Sequence, residues 1–329
     1  AVTLLIGVAS GLTMEATGLR ILGLAPPITA LIVFLLVYTS ATLLIEGRRH
    51  AVDRLATAVI LATAVLALVP LLWILATVVI NGLSLLSTEF LFLNTMRNVN
   101  PRSAGGGVAH AVVGTLQQVG IATLISVPLG LLTAIYLSEY GRGRLARSIN
   151  FFVDVMTGIP SIVAGMFIYT FWILTLGFPQ SGLAAALSLT ILMVPVVIRS
   201  SEEMLRIVPN ELREGALALG IPKFRVITKV VVPTAISGII TGAMLAVARV
   251  TGETAPLLLT TFLAQDMNWN AFDGSQTSLP IFIWDQIARG TQSSLDRAWA
   301  GALTLILIVL FFYGTARILA AKYSPKERR

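Results

Sequence analysis

One arginine and one glutamate stand four residues apart inside a strongly apolar stretch, at Arg249 and Glu253. An ionised arginine near the centre of a membrane span costs at least about 2.5–3.5 kcal/mol, so such a residue normally faces a cavity or an ionic partner. In a continuous helix, residues four apart share a face, so Glu253 could reach Arg249. The pair therefore indicates either a site for an anion inside a membrane or an ion pair that pins two helices together. Residue types alone leave both interpretations open.

The backbone around this pair is predicted to be irregular. Pro256 cannot donate a hydrogen bond to the carbonyl of Gly252, so the helix should loosen there. Irregular backbone at membrane depth is tolerated where it lines a cavity. Ser161 stands beside a second proline, Pro160, and its hydroxyl could either satisfy a carbonyl that the proline frees or line a pore.

The elements that must position these residues are membrane spans. Of the residues, 56% are hydrophobic and only 12% are charged, whereas a soluble domain carries about 25% charged residues. A span needs about 20 apolar residues, which predicts an all-α polytopic membrane protein. The predicted spans are 21–45, 56–81, 109–137, 151–176, 183–199, 230–263 (kinked or broken) and 299–321, with the short apolar segment 1–13 as an eighth candidate.

The basic residues give the chain an orientation. Alternate loops and the C-terminus hold 17 of the 23 Lys and Arg residues, and the other loops hold five. Because basic loops stay in the cytoplasm, we expect a cytoplasmic C-terminus and outward segments at 82–108 and 264–298. The segment 264–298 also carries four aspartates and an interfacial tryptophan pattern. It is either solvated loop with aromatic anchors or a docking surface for an extracytoplasmic binding protein.

A short capped helix is predicted in the longest basic loop, over about residues 210–220. Asn210 is a good N-cap residue, and Glu211 and Glu214 suit the positive end of the helix dipole. Gly220 is placed as the C′ residue that ends the helix. Leu212, Ala216 and Leu219 are predicted to share one face. The helix is either a coupling element that meets a partner protein or a plain amphipathic helix on the membrane surface.

Several classes of function lack the residues that they need. The chain has no cysteine, and its two histidines, His50 and His110, are predicted in separate loops. No His-Glu-x-x-His or His-carboxylate cluster is present, which disfavours a metal enzyme, so no metal site is predicted. No Gly-Lys-[Ser/Thr] sequence is present either, so the chain has no P-loop and we do not expect it to be an ATPase.

A family resemblance rests on three motifs. Glu214-Gly215-Ala216, three residues, Gly220, nine residues and Val230-x-Val232-Pro233 resemble the cytoplasmic loop motif of ABC importer permeases, usually Glu-Ala-Ala-x3-Gly-x9-Ile-x-Leu-Pro. Gly215 departs from that pattern and should weaken the helix by up to about 1 kcal/mol. Residues 158–165 (GIPSIVAG) and 248–256 (ARVTGETAP) resemble the phosphate-specific PstA-type permeases. The resemblance covers about residues 56–321.

The resemblance implies the fold and the partners. It implies a permease core of six spans in residues 51–329 and an N-terminal extension, residues 1–50, with one or two further spans and no assigned role. The chain would be the permease subunit of an ATP-driven phosphate importer in the bacterial inner membrane and would bind no cofactor itself. ATP-Mg would bind to two ATP-binding cassette subunits, with a second homologous permease and an extracytoplasmic phosphate-binding protein completing the complex.

The resemblance also implies roles for the site residues. Glu214, Gly215, Ala216 and Gly220 would meet the ATP-binding subunit, and Arg249, Glu253 and Ser161 would lie on the substrate path. Phosphate near neutral pH keeps a proton that it can donate to a carboxylate, whereas sulfate cannot. We therefore predict that Arg249 draws the anion, while Glu253 orients Arg249 and discourages sulfate.

Two alternatives remain at this point. A permease for molybdate, sulfate or an organic solute would keep the loop helix but would not need the Arg249–Glu253 pair. A secondary transporter or channel would need no ATPase, and residues 210–220 would then be a surface loop. The two halves of the sequence show no inverted pair of broken helices, which disfavours the second alternative.

Overall fold

The computed structural model describes residues 26–103 and 105–323. Within these ranges the protein is built of helices and connecting loops without a strand, so the all-α prediction is confirmed. Five helices in this part are long and apolar enough to cross a membrane, or six if one bent pair counts as a single span. The predicted apolar segment 1–13 and the start of the predicted span 21–45 lie outside the described residues.

The described chain divides into two compact units, with the division between Thr77 and Val78. The first unit contains helix α1 (Pro26–Glu46) and most of α2 (Arg48–Gly82). Gly47 joins them with a φ of 86°, which glycine adopts without steric cost. The domain boundary predicted between residues 50 and 51 was drawn from the family resemblance. The division into compact units does not test it, so it stays a prediction.

The second unit holds the remaining helices. They are α3 (Ala109–Ile135), α4 (Arg144–Gly158), α5 (Ser161–Ile168), α6 (Gly182–Ile207), α7 (Asn210–Ala218), α8 (Lys223–Val226), α9 (Val232–Thr251), α10 (Ala255–Thr260), α11 (Leu279–Arg289) and α12 (Gln292–Tyr323). Wide π-helical turns occur at Glu89–Leu93, Tyr136–Tyr140, Tyr169–Thr175 and Ile227–Val231. The last of these joins α8 to α9, and Tyr136–Tyr140 extends α3.

Helix α6 is the centre of the second unit. In its most apolar stretch 67% of the residues are buried, against 33% in the span that contains α9. Leu189 and Met193 of α6 are fully buried between α3 and α9. Small residues let the backbones approach closely: a Cβ at Gly130 of α3 would stand 2.7 Å from a methyl group of Val197 on α6.

The predicted span 151–176 is not one continuous helix. Helix α4 ends at Gly158, and the chain turns by 106° before α5 begins at Ser161. A residue before proline is disfavoured in the α-helical region, and Ile159 accordingly adopts extended angles before Pro160. The two helices form a broken span or a re-entrant loop.

Two other predicted spans differ in where they end. Helix α6 continues to Ile207, eight residues beyond the predicted end of the span 183–199, because residues 200–208 contain no glycine or proline. The predicted break in 230–263 is confirmed. Helix α9 ends at Thr251, and α10 begins at Ala255 with Pro256 in its first turn.

Candidate functional site

Helix α7 is the predicted loop helix, and its N-terminus lies one residue from the predicted position. Pro209 occupies the N-cap position, and Asn210 is the first helical residue. The prediction that Asn210 caps the helix is therefore wrong. Its side-chain oxygen instead accepts a hydrogen bond from Arg213 Nη1 at 3.2 Å.

The C-terminal end of α7 is set by Gly220, as predicted. Gly220 has a φ of 75°, in the left-handed region. Its N–H donates to the Leu217 carbonyl at 2.9 Å, and the N–H of Ile221 donates to the Ala216 carbonyl at 3.4 Å. This pair of bonds is a Schellman motif. Ala216 and Ile221 also pack against one apolar cluster, so the end of the helix is firmly set.

Most of α7 is exposed. Leu212, Leu217 and Leu219 are 45%, 46% and 80% exposed, and Glu214 and Gly215 are exposed beside them. Leu212 and Ala216 stand four residues apart in α7, but Leu219 lies just beyond its last residue and Ala216 alone of the three is half-buried, so their common face stays a prediction. The helix thus presents an outer surface of leucines and carboxylates that no described residue covers.

One charged side chain of α7 points inward. Arg213 donates from Nε and Nη2 to Oε1 of Glu139, at 3.1 and 2.9 Å, in the wide turn that ends α3. The two side chains are only 16% and 8% exposed. Arg213 was predicted only as one of many loop arginines, and the structure makes it the polar anchor of the helix.

A second ionic cluster joins α4 to α6. Glu202 has only 4% of its side chain exposed, and it accepts hydrogen bonds from Arg199 at 2.8 Å and Arg206 at 2.6 Å. Arg199 also reaches Asp154 of α4 at 2.5 Å. Glu202 is thus a buried carboxylate held by two arginines of its own helix, one of which also reaches α4.

The two segments that carry the PstA-type motifs pack against each other. Helix α5 contacts α10, and a Cβ at Gly165 would stand 2.5 Å from Pro256 Cα and 2.9 Å from its carbonyl oxygen. Gly165 therefore permits close approach of the two helices. Gly158 has nothing within 4 Å of its Cβ position, so a packing role for this second glycine is not observed.

The three predicted substrate-path residues lie at these interrupted helices. Arg249 is exposed near the end of α9, Glu253 is half-buried in the break, and Ser161 is half-buried as the first residue of α5. Within residues 26–103 and 105–323, none of the three side chains has a hydrogen-bond or ion-pair partner. The predicted pairing of Arg249 with Glu253 is wrong because α9 ends between them.

Two roles were predicted for the Ser161 hydroxyl, satisfying a carbonyl that Pro160 frees or lining a pore. The hydroxyl bonds to no described carbonyl, so helix repair is not observed, and the second role stays a prediction.

Arg249 belongs to an exposed stripe of α9. Thr241 and Leu245 precede it at four-residue intervals and are exposed with it. Beside this stripe, a groove of ≈ 360 Å³ lies between α6 and α9, and Ser200, Glu203, Ser237 and Thr241 supply its polar groups. The Arg249 guanidinium and the polar groups of the groove thus lie on one side of α9, beside exposed apolar side chains such as Leu245.

The segment between α10 and α11 is partly buried rather than a simple solvated loop. Gln276 is 1% exposed, and its carbonyl and side chain accept hydrogen bonds from Gln118 Nε2 at 2.9 and 3.3 Å. Thr261 Oγ1 donates to the same carbonyl at 2.6 Å. The segment is thereby fixed against α3, although Trp269 and Phe272 remain 70% and 66% exposed.

Arg297 was also expected in a solvated region, and it is 1% exposed. It donates to Gln286 Oε1 at 2.9 Å and to the carbonyls of Pro101, Ser103 and Gly105 at 2.9–3.2 Å. It therefore holds the loop before α3 against α12.

The chain is similar to a known family over more than half its length. The family model described as "Binding-protein-dependent transport system inner membrane component" matches residues 126–325. Phosphate transport system permease protein PstA 1 of Mycobacterium tuberculosis (strain H37Rv) is 45% identical over 262 residues, which are 80% of this chain and 85% of that protein. PstA of Yersinia pestis is 39% identical over 278 residues, which are 84% of this chain and 92% of that protein.

The fold is similar to those of solved transporters. The MetNI methionine ABC transporter in an inward-facing conformation aligns with a TM-score of 0.53 at 19% identity, over 67% of this chain and 95% of that one. A bacterial alginate ABC transporter, in complex with a pentasaccharide-bound periplasmic protein, aligns with a TM-score of 0.56 at 16% identity, over 82% of this chain and 96% of that one. At this identity the likeness concerns the fold alone.

Proposed function

The chain belongs to the family of binding-protein-dependent transport system inner membrane components, and we propose that it is the permease subunit of an ATP-driven importer of inorganic phosphate. The observation that carries this proposal is α7, a short helix with an exposed outer surface of leucines and carboxylates. Such a surface is suited to a partner, because three exposed leucines on a polar helix are otherwise unfavourable in water. The phosphate specificity is supported by the PstA-named relatives.

The orientation follows from the basic residues. The ends of α3 and α6, the loop that holds α7 and the C-terminus carry most of the lysines and arginines. We place these on the cytoplasmic side. Helix α7 then meets an ATP-binding cassette subunit in the cytoplasm, with Glu214, Gly215 and Ala216 toward that subunit and Gly220 setting the end of the helix.

The partners follow from this arrangement. Two ATP-binding cassette subunits hold ATP-Mg and hydrolyse it, and this chain binds no cofactor. A second homologous permease covers the polar side of α9, and a phosphate-binding protein delivers the substrate to the outward face. Residues 1–50 remain an N-terminal extension to the permease domain 51–329.

Arg249, Glu253 and Ser161 form the substrate path in this proposal. The Arg249 side chain has no counter-charge among the described residues, so it is available to an anion. Glu253 acts on the anion directly rather than through Arg249, because an ionised carboxylate accepts a hydrogen bond from the protonated oxygen of phosphate and repels sulfate, which has no such proton. Ser161 supplies a hydroxyl at the start of α5.

The test is phosphate uptake into vesicles that contain the whole complex, with and without ATP. We compare the wild type with Arg249→Gln, and use Arg147→Gln, an exposed arginine of α4, as the matched control. ATP-dependent uptake that Arg249→Gln abolishes and Arg147→Gln leaves intact supports the proposal. Uptake without ATP would overturn the importer, and normal uptake by Arg249→Gln would remove that residue from the path.

A further inference from the structure

We propose that Arg213 is a positioning residue that fastens α7 to the ends of α3 and α6, so that a displacement of α7 moves both spans together. The inference rests on the proposed function, since it concerns how force from an ATP-binding subunit enters this chain. It assigns a role to a side chain that faces away from the partner surface.

The contacts of Arg213 use every donor of its guanidinium. An arginine has five side-chain N–H groups, and the side chain makes five hydrogen bonds. Two reach Glu139 of α3, and one remains within α7, at Asn210. The other two reach the carbonyls of Leu205, at 2.8 Å, and Val208, at 2.5 Å.

Those two carbonyls belong to the C-terminal end of α6. The last carbonyls of a helix have no partner within the helix and carry the negative end of its dipole. Arg213 therefore caps α6 from outside while it pairs with a carboxylate of α3. One planar guanidinium thus links three helices. Lysine cannot replace it, because an ammonium group lacks the five N–H donors in one plane.

The end of α3 is also held from beyond the far end of α7. Lys223 Nζ donates to the carbonyl of Glu139 and lies 4.6 Å from the ring centroid of Tyr140. The wide turn Tyr136–Tyr140 is thus bound by Arg213 of α7 and by Lys223 of α8. Apart from these polar contacts, Ala216 and the following Ile221 pack against the apolar cluster that contains Leu205 and Val208.

The outer surface of α7 is exposed, and besides Arg213 the helix is held by its small apolar contact and by its neighbours α8 and Ile227–Val231. Without the Arg213 contacts, we expect a displacement of α7 to be transmitted less completely to α3 and α6. A purely stabilising ion pair would have a different effect: it would change the amount of intact complex and leave the efficiency of each complex unaltered.

The experiment measures phosphate transported per ATP hydrolysed, using the whole complex in proteoliposomes. Arg213→Gln, Arg213→Lys and Glu139→Gln are compared with Arg142→Gln, an exposed arginine that lines the same cleft. We expect the ratio to fall about tenfold in the first three, within the usual range of coupling between sites, and to stay at the wild-type value in Arg142→Gln. The double variant Glu139→Gln/Arg213→Gln should lose no more than either single variant.

Two results would overturn the inference. Uptake and ATP hydrolysis that fall by one common factor would give Arg213 a role in stability or assembly alone. An unchanged ratio in Arg213→Gln would show that other contacts carry the motion. Failure of the proposed function is separate, since it appears as a wild-type complex without ATP-dependent uptake.

Discussion

The contact between Gly165 and Pro256 predicts opposite effects for two glycine-to-alanine substitutions. At Gly165 a Cβ would stand 2.5 Å from Pro256 Cα. Neither a Cβ nor a backbone Cα can rotate away, so the two helices must separate. Overpacking of this kind costs about 1–3 kcal/mol. At Gly158 the space is open, so Gly158→Ala is the matched control.

The effect on the free energy of unfolding is best expressed as the difference between the two variants. Alanine gains up to about 1 kcal/mol over glycine within a helix, and this gain is common to both sites. The two variants should therefore differ by the steric cost, about 1–3 kcal/mol. In a domain of this size about 1 kcal/mol corresponds to about 2–4 °C in Tm, so several degrees should separate them.

The assay is thermal unfolding of the reconstituted complex, followed by tryptophan fluorescence, together with phosphate uptake at 25 °C. We expect Gly158→Ala to melt at or above the wild-type temperature and Gly165→Ala to melt lower and to transport more slowly. Equal melting temperatures and equal uptake would refute the close contact between α5 and α10.

Three further predictions concern single side chains. Glu253→Gln should admit sulfate as a competitor of phosphate, because the repelling charge is gone; competition assays measure this. Gly220→Ala should weaken the end of α7 by about 1 kcal/mol, since alanine is strained at positive φ, and limited proteolysis of the following loop should speed up. Arg297→Lys should expose the loop 99–107 to protease, because lysine cannot bond three carbonyls and an amide in one plane.

Each of these has a control or a contrary result. Sulfate exclusion that survives Glu253→Gln would remove its selective role. Gly215→Ala, in open space within the same helix, should not speed proteolysis as Gly220→Ala does. An Arg297→Lys complex with a protease-resistant loop would show that packing holds the loop without these hydrogen bonds.

Much of the fold was readable from the sequence because its signals are local. Apolar length predicted the helices, Gly220 predicted the end of α7, and Pro256 predicted the break after α9. The turn at Pro160 carried the same kind of signal. It was missed because a proline within a membrane span often leaves the span continuous.

The polar contacts of the candidate site were harder to predict because they are not local. Arg213 and Glu139 are 74 residues apart, and nothing in their spacing connects them. The ion pairs of Glu202 could have been predicted, since Arg199 and Arg206 stand three and four residues from it on one helix. The false pairing of Arg249 with Glu253 came from extending that same rule across a helix that stops at Thr251.

The exposed stripe of α9 has a consequence for what must surround this chain. From Thr241 to Arg249 the stripe spans eight residues, about 12 Å of helix, within a hydrocarbon thickness of about 30 Å. It ends in the Arg249 guanidinium, which cannot face acyl chains without cost. Under the proposed function, this side of α9 therefore faces another protein rather than lipid, so that this chain would form one side of the phosphate path and a second permease the other.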